Sequence, residues 1–557
     1  MLRSLFRSMV SMALMALSVV LVGCGVRDAT PLQESQRRPN VLLIVADDLA
    51  YSDLGAFGGE IGTPNLDALA REGVLLANFY AASTCSPTRA MLLSGVDNHV
   101  AGLGTMTDDH TPNQVGARGY ETYLNFDVAA LPELLQDAGY HTYMTGKWHL
   151  GMTPETSPAA RGFERSFGLM NGGAGHFDDL AIFGGGRAVF RDGLDEVTLP
   201  EDFYSTRTYA DRMIEYLDAD RDDERPFFAY LAFTAPHWPL QAPEETIARF
   251  AGRYDDGYDA LQAARIERMQ ALGLVAADVT PYTGPAGRRR WEELTDDERR
   301  VAARTMEIYA AMVADLDTHV GRVLDHLKRI GKYDDTLVLF MSDNGAEGHD
   351  LLATWPHLAG HLEACCDNSP ENMGRGDSYL WYGPGWARAG IGVFNLYKGF
   401  STDGALRVPA IARLPGGATG QTSHAFATVL DVVPTVLELA GVEHPGTRYR
   451  DREVRPPVGA SLLPLLRGEA DAVHPPDHVM GWELFGRRAI RQGDWKLTFT
   501  TPPLGSGTWQ LFDLATDPAE LVDLSSREPA KRKALLALWD RYVEENGVIV
   551  PDEPIPY

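Results

Sequence analysis

The feature that most constrains the fold is an apolar run of strand length that ends in two carboxylates. Residues 41–46 are all apolar, and Asp47 and Asp48 follow directly. Such a run is typical of a strand buried on both faces of a parallel sheet. Open α/β sheets build their ligand sites at the carboxyl ends of these strands. The run therefore predicts a buried strand that delivers Asp47 and Asp48 to a site, although either aspartate could instead cap a following helix.

Further apolar strands alternate with helical patterns along the chain. Strands are predicted at residues 141–145, 227–233 and 336–341, and helices at 131–138, 208–217 and 294–331. The third strand also ends in polar residues, Asp343 and Asn344. This βαβ-like order predicts an α/β fold with a large, mixed, mostly parallel sheet flanked by helices. Residues 254–290 are predicted to be an irregular insertion, and residues 102–119, 172–186 and 351–387 to be loops that cover the site.

The pattern changes near residue 475. Short strands are predicted at residues 479–484, 487–491, 495–500 and 509–514, and a terminal helix at 529–546. We therefore expect a large domain over residues 38–475 and a smaller α+β domain over residues 476–557, built from an antiparallel sheet and one helix.

The first residues are typical of an export signal. Arg3 and Arg7 precede the apolar run 9–22, which is too short to span a membrane comfortably. Residues 21–24 resemble a bacterial lipobox, which implies cleavage of residues 1–23 and lipidation of Cys24; a plain secretory signal is the alternative. Residues 24–37 then form a polar tether. We expect an exported periplasmic lipoprotein that is anchored to a membrane through Cys24.

The charge balance limits the partners of the chain. Of its 557 residues, 50 are Lys or Arg and 77 are Asp or Glu, which gives a net charge of -27. The resulting field repels nucleic acid and anionic membrane surfaces, so nucleic acid is excluded as a partner. An anionic substrate requires a cation, or converging basic side chains, at its binding site.

Cys85 is placed at a turn before a helix. Pro87 suits the first position of that helix, and the free N–H groups of the helix N-terminus favour an anion there. At a turn, this side chain is expected to contribute little to burial. A lone cysteine in this setting is most often a structural residue.

Cys85, Pro87 and Arg89 match the Cys-x-Pro-x-Arg signature of the type I sulfatases. Four further segments match that family in the expected order: residues 40–48, 146–151, 235–238 and 341–345. From residue 38 to the end, the chain resembles bacterial arylsulfatases most. The resemblance implies an alkaline-phosphatase-like fold and hydrolysis of sulfate esters, such as aryl sulfates, to an alcohol and inorganic sulfate. It also implies that a formylglycine-generating enzyme converts Cys85 to formylglycine (3-oxoalanine).

The same resemblance assigns roles to the site residues. It implies one Ca²⁺ per chain, held by Asp47, Asp48, Asp343 and Asn344, and oxygen ligands of this kind suit a hard cation. The formylglycine hydrate at position 85 attacks sulfur, and Arg89 stabilises the hydrate. Lys147 and Lys398 bind sulfate oxygens. His149 assists the hydrate, and His237 protonates the leaving oxygen.

Two alternative functions stay open. The first is a phosphonate or phosphate ester hydrolase of the same superfamily. The second is a lipoprotein that binds sulfated material without turnover and keeps Cys85 as a thiol. The adjacent pair Cys365 and Cys366 is expected to be incidental, because neighbouring cysteines close only a strained ring.

Overall fold

The computed structural model describes residues 38–107, 109–184, 186–285, 288–553, 555 and 557. The predicted signal peptide, Cys24 and the tether lie outside these residues. Residues 38–557 form one compact unit that includes both predicted domains, so the boundary near residue 475 stays a prediction. Among the described residues, no helix is both long and apolar enough to cross a membrane.

The strands are β1 (Asn40–Ala46), β2 (Val74–Leu76), β3 (Phe79–Tyr80), β4 (His141–Lys147), β5 (Arg165–Leu169), β6 (Phe190–Asp192), β7 (Asp195–Glu196), β8 (Phe227–Ala232), β9 (Thr336–Ser342), β10 (Arg407–Val408), β11 (Ala410–Arg413), β12 (Gln421–Ser423), β13 (Ala427–Thr428), β14 (Arg448–Tyr449), β15 (Arg452–Glu453), β16 (Val479–Leu484), β17 (Arg487–Gln492), β18 (Trp495–Phe499) and β19 (Trp509–Asp513). The α-helices are α1 (Pro64–Glu72), α2 (Cys85–Ser94), α3 (Leu131–Asp137), α4 (Ser205–Ala219), α5 (Glu244–Ala248), α6 (Gly257–Ala271), α7 (Asp296–Arg329), α8 (Leu351–Thr354), α9 (Leu358–Cys365), α10 (Gly383–Ile391), α11 (Asp403–Leu406), α12 (Val432–Ala440), α13 (Leu463–Leu466) and α14 (Pro529–Asn546).

A ten-stranded sheet forms the centre of the molecule, in the order β12-β2-β11-β9-β1-β8-β4-β5-β6-β7. The five strands from β9 to β5 run parallel, and antiparallel pairings flank them on both sides. Alternate residues of β1 belong to two different hydrophobic cores, one containing α7 and the other containing α2, α3 and α12. Strand β1 is therefore buried on both faces, and the predicted mostly parallel α/β fold is confirmed.

The C-terminal sheet also matches its prediction. Strands β16 to β19 form an antiparallel meander, and α14 packs on it through Leu535, Trp539 and Tyr542. This sheet also contacts the segment that leads to Cys85, because the Trp482 indole Nε1 donates to Ala81 O at 3.0 Å.

Two segments are more regular than predicted. Residues 254–290 contain α6, and its Arg265 is fully buried because the guanidinium contacts Asp53 Oδ1 at 2.6 Å and Glu60 Oε2 at 2.7 Å. The predicted covering loop 351–387 contains α8, α9 and the beginning of α10. The predictions of irregular chain were wrong over these helices, whereas the other described residues of both segments lie outside helices and strands, as predicted. Tertiary contacts such as those of Arg265 override the weak local periodicity.

The expectation for the vicinal cysteines was also wrong. Cys365 and Cys366 are joined by a disulfide at the end of α9. The chain leaves the helix at Cys366 with extended backbone angles, φ -136° and ψ 141°.

Candidate active site

The acidic residues meet because of the register between two parallel strands. Ala46 of β1 lies beside Ser342 of β9, so the next residues, Asp47 and Asp343, leave the sheet side by side. The Asp343 amide donates to Ala46 O at 3.0 Å, and the Asp48 amide donates to Asp343 Oδ1 at 3.3 Å. All of these side chains are buried. Gathering like charges in this way requires cations nearby.

Asp48 and Asn344 have the most unusual environments in this group. Asp48 adopts a left-handed backbone conformation, φ 66°, which L-residues other than glycine adopt at a cost of about 1–2 kcal/mol. Asn344 Nδ2 donates to Asp48 Oδ1 at 2.6 Å, whereas the buried Asn344 Oδ1 has no hydrogen-bond partner among the described residues. Burial raises the pKa of Asp48 to about 7. A bound cation would give Asn344 Oδ1 a partner and would favour the ionised form of Asp48.

Cys85 lies at a helix N-terminus, as predicted, but it is the first residue of α2 rather than the residue before the helix, and Pro87 is the third. The Cys85 side chain is buried. Its Sγ lies 3.4 Å from Asp47 Oδ1 and 4.0 Å from Asp48 Oδ1. Burial raises the pKa of this thiol far above its ordinary value. The side chain is buried because the strand-end residues Asp47 and Asp48 pack against it. The periodicity of residues 80–94 does not predict this contact, because Asp47 and Asp48 lie in a distant segment.

Two basic side chains pair with the carboxylates. Arg89 lies one turn along α2 from Cys85, and its guanidinium donates to Asp343 Oδ2 at 2.7 and 2.9 Å and to Lys147 O at 2.8 Å. Lys147, the last residue of β4, donates from Nζ to Asp47 Oδ2 at 2.6 Å. Burial alone would raise the pKa of Asp47, but Lys147 and Arg89 hold it below its usual value. Both residues thus join the site.

Lys398 completes the set of cations. Its Nζ lies 2.8 Å from Asp48 Oδ1, 3.0 Å from Asp48 Oδ2 and 3.6 Å from Glu347 Oε2. Lys398 is 1% exposed. Although burial favours a neutral amine, Asp48 raises the pKa of Lys398 well above its usual range. Lys398 is therefore charged.

The two predicted histidines flank the carboxylates. His237 Nδ1 donates to Trp238 O at 2.5 Å, so Nε2 is the nitrogen that faces Asp48, 3.6 Å from Oδ2. His149 has φ 56°, and its Nδ1 is buried without a partner among the described residues. Burial, aided by Lys147 and Lys398, lowers the pKa of both histidines well below the ordinary value. Both rings are neutral in this environment.

Comparison with known proteins decides the family. Residues 39–442 match the model of the sulfatase family. The chain belongs to the sulfatase family. An arylsulfatase of Klebsiella aerogenes is 39% identical over 459 residues, which cover 80% of this chain and 95% of the relative.

A second relative and a solved structure extend this comparison. An uncharacterised sulfatase of Schizosaccharomyces pombe is 46% identical over 543 residues, 94% of this chain and 96% of the relative. A solved structure of a protein with its substrate D-glucosamine-2-N,6-O-disulfate has a TM-score of 0.61 and 23% identity, and the match covers 93% of this chain and 99% of that one. This structural likeness supports the alkaline-phosphatase-like fold predicted for a sulfatase.

The side chains of this sulfatase fit a hard cation. Potential ligand atoms of Asp47, Asp48, Cys85 and His237 lie within 4.8 Å of one another. This set differs from the predicted one, Asp47, Asp48, Asp343 and Asn344. We favour the oxygen ligands, because a protonated thiol is a poor ligand and Asn344 Oδ1 is an unpartnered buried acceptor beside Asp48. The donor set suits Ca²⁺ or Mg²⁺ better than zinc.

Two residues near the site, Glu347 and His176, were not predicted from the sequence. Glu347 is 2% exposed beside Lys398, and it follows Asn344 by only three positions, so extending the motif of residues 341–345 would have included it. His176 contacts Ser205 Oγ through Nδ1 at 2.7 Å and His237 O through Nε2 at 2.9 Å. It thereby fixes the backbone of His237, and no local pattern in the sequence indicates this contact.

Proposed function

We propose that this sulfatase hydrolyses sulfate esters to an alcohol and inorganic sulfate, with residue 85 as formylglycine and one Ca²⁺ at the strand ends. The observation that carries the proposal is the position of Cys85. Its Sγ lies among three carboxylates and the cationic groups of Arg89, Lys147 and Lys398, on a chain of the sulfatase family. A structural cysteine does not require charged neighbours of this kind.

Conversion of Cys85 explains how this residue serves as a nucleophile. The buried thiol is protonated at neutral pH, and only a thiolate attacks well. The hydrate of a formylglycine supplies an oxygen nucleophile instead, and its second hydroxyl allows the aldehyde to be regenerated as sulfate leaves. Conversion is an oxidation, so it requires a partner, a formylglycine-generating enzyme.

The remaining charges serve binding. Asp47, Asp48, Asp343 and Asn344 hold the cation, which supplies charge neutralisation and Lewis acidity at the sulfate group. Lys147 and Lys398 contact carboxylates of that same set, so both amines lie where they can bind sulfate oxygens. Arg89 holds Asp343 and the backbone of Lys147 in place.

The histidines serve proton transfer. His237 presents Nε2 to the site because Nδ1 is held by Trp238 O. The negative charge of a bound sulfate ester favours protonation of Nε2, and the low pKa of the ring makes the protonated form a strong acid for the leaving oxygen. His149 assists the hydrate, with its ring held against Gly172, where an added Cβ would lie 2.8 Å from Nε2.

An aromatic wall beside His237 favours an uncharged alcohol in the ester. The Trp238 ring lies 4.8 Å from the His237 ring and 5.7 Å from Phe183, and Phe183 lies 5.4 Å from Trp355. Phe183 is 47% exposed. The covering loop 172–186 contains no Lys or Arg, and the covering loop 351–387 contains one, Arg375, whose guanidinium lies 3.5 Å from Glu244. A disulfated sugar would therefore find little cationic charge in these loops, whereas an aryl group would find aromatic surface.

Mass spectrometry of the peptide that contains residue 85, combined with turnover assays, tests the proposal. We expect the formylglycine mass and hydrolysis of 4-nitrophenyl sulfate in preference to matched phosphate and phosphonate esters. Preference for a phosphorus ester would support the alternative hydrolase. An unconverted thiol together with sulfate binding but no turnover would support the non-catalytic lipoprotein.

The exported, lipid-anchored state is a separate proposal that rests on residues 1–24 of the sequence. We expect the native protein in the membrane fraction and Cys24→Ser in the soluble periplasmic or secreted fraction. A soluble native protein whose N-terminus begins elsewhere than Cys24 would exclude the lipid anchor.

A further inference from the structure

Glu347 is a buried carboxylate next to the active site that the proposed chemistry does not use. It is 2% exposed, and its Oε2 lies 3.6 Å from Lys398 Nζ without a hydrogen-bond partner among the described residues. Burial alone would raise the pKa of Glu347, but His349 and Lys398 hold it at about 2. An ionised carboxylate at this depth requires a defined partner.

His349 holds the other oxygen of Glu347. Both its backbone N, at 2.8 Å, and its ring Nδ1, at 2.6 Å, contact Glu347 Oε1. The imidazole is itself enclosed by aromatic rings, parallel to Phe400 at 6.1 Å and edge-on to Tyr397 at 5.1 Å. The carboxylate plane of Glu347 is thus fixed, and Oε2 is left to face Lys398.

Lys398 requires a second ionic partner because its closest partner, Asp48, also belongs to the proposed cation-binding set. Asp48 contacts Lys398 Nζ with both oxygens, yet Asp48 also belongs to the cation-binding set. When Asp48 holds the cation, its attraction for Lys398 is shared. The Lys398 amide donates to Ala346 O at 2.9 Å, which ties its backbone to the residue preceding Glu347. Glu347 remains available to direct the flexible lysine side chain toward a sulfate oxygen.

We propose that Glu347, held by His349, is a positioning residue that keeps Lys398 directed at the sulfate group. This inference rests on the proposed function in assigning sulfate binding to Lys398. The described contacts of Glu347 are with His349 and Lys398, so its effect on sulfate binding passes through Lys398. That dependence distinguishes it from a residue that merely supports the fold.

A double-mutant cycle between Glu347→Gln and Lys398→Met tests this dependence. Gln is nearly isosteric, and its side-chain oxygen can still accept from His349. The cycle is measured on full-length, calcium-loaded protein in two ways: as kcat/KM for an alkyl sulfate, and as the Kd of inorganic sulfate by calorimetry. Glu544→Gln, which removes the same charge from an exposed position of α14, is the matched control.

We expect Glu347→Gln alone to lower kcat/KM by roughly 10-fold to 100-fold, as is usual for residues that orient site ligands, and to weaken sulfate binding. In the Lys398→Met background, the same change should have an effect of about 2-fold or less, because its route of action is gone. Glu544→Gln should leave both quantities within about 2-fold of wild type, as expected for an exposed charge.

Equal effects of Glu347→Gln in both backgrounds would overturn the proposal, and so would the absence of any effect. If Glu347→Gln does not fold, His349→Asn, which releases Glu347 but keeps its charge, replaces it in the same cycle with the same criteria. A protein that hydrolyses no sulfate ester would refute the proposed function, while the sulfate-binding cycle would still decide the role of Glu347. A protein that binds no sulfate would refute both.

Discussion

The active site can be compared with a second buried cluster of charged side chains. The second cluster, here called the Asp403 cluster, consists of Asp403, Lys496, Glu520 and Tyr80. Lys496 Nζ bridges Asp403 Oδ1 at 2.6 Å and Glu520 Oε1 at 2.9 Å, and Tyr80 OH donates to Asp403 Oδ2 at 2.5 Å. Like the active site, this cluster is almost fully buried and joins carboxylates to lysine.

The two regions differ in what their polar atoms contact. In the Asp403 cluster, the amine lies between both carboxylates, and it links β18 of the C-terminal sheet to α11 of the body. In the active site, three carboxylates converge beside a thiol, and Asn344 Oδ1 has no partner among the described residues. Burial of charge alone therefore does not identify a catalytic centre in this chain. The neighbouring thiol and the unpartnered amide oxygen of Asn344 distinguish the candidate active site from the Asp403 cluster.

Replacing Cys85 should have the largest effect on turnover and little effect on stability. We expect Cys85→Ala to reduce turnover to the uncatalysed background, because no other residue supplies the nucleophile. Cooperative thermal unfolding should persist, since only one sulfur atom is removed from a folded core. Turnover on 4-nitrophenyl sulfate and calorimetry are the measurements. Loss of cooperative unfolding in this variant would instead assign Cys85 a structural role.

Removal of the cation should affect only the active site. We expect chelation to abolish activity, and calcium to restore it better than zinc because the ligands are hard oxygens. Calcium at 100 times its Kd should also stabilise the protein by about 2.7 kcal/mol, measured as a shift in unfolding. Asp403→Asn, the control in the other cluster, should retain this calcium-induced shift. Full activity in a metal-free preparation would contradict the assignment.

Breaking the Asp403 cluster should give the opposite result. Lys496→Met leaves two buried carboxylates without their shared cation, and such changes typically cost about 3–5 kcal/mol of stability. We expect a large fall in the free energy of unfolding, with kcat per folded molecule within about 2-fold of wild type. Denaturant titration and active-site counting measure the two quantities. A selective loss of kcat without loss of stability would show that the cluster acts on catalysis.

Residues of the active site differ in how well local sequence patterns predict them. Asp47 and Asp343 were predictable because each ends an apolar strand, and parallel strands deliver their carboxyl ends to one edge. The burial of Cys85 and the contact between Glu347 and Lys398 were not, because they depend on segments distant in sequence. Likewise, Arg265 of α6 contacts Glu60, 205 residues away, and no pattern within residues 254–290 indicates this contact. Local sequence patterns do not predict contacts between segments that are far apart in the chain.

The smallest effect is expected at His237 with an activated ester. If His237 is the general acid, its contribution depends on the alcohol that leaves. A nitrophenolate departs without protonation, whereas an alkyl alcohol must be protonated as the bond to sulfur breaks, and a positioned acid contributes roughly 10²- to 10⁴-fold in rate. We therefore expect His237→Ala to slow 4-nitrophenyl sulfate only slightly and alkyl sulfates strongly, so that log kcat/KM falls more steeply with leaving-group pKa.

Lys398→Ala provides the comparison that makes this test specific. Lys398 acts on sulfate oxygens, whose charge changes little with the identity of the alcohol, so its loss should lower the whole series more evenly. Both variants retain the cation ligands, and His176 still fixes the backbone of residue 237 through its carbonyl. A uniform loss across the series for His237→Ala would mean that the imidazole holds sulfate or supports Trp238, and the proton-donor role would then pass to another group.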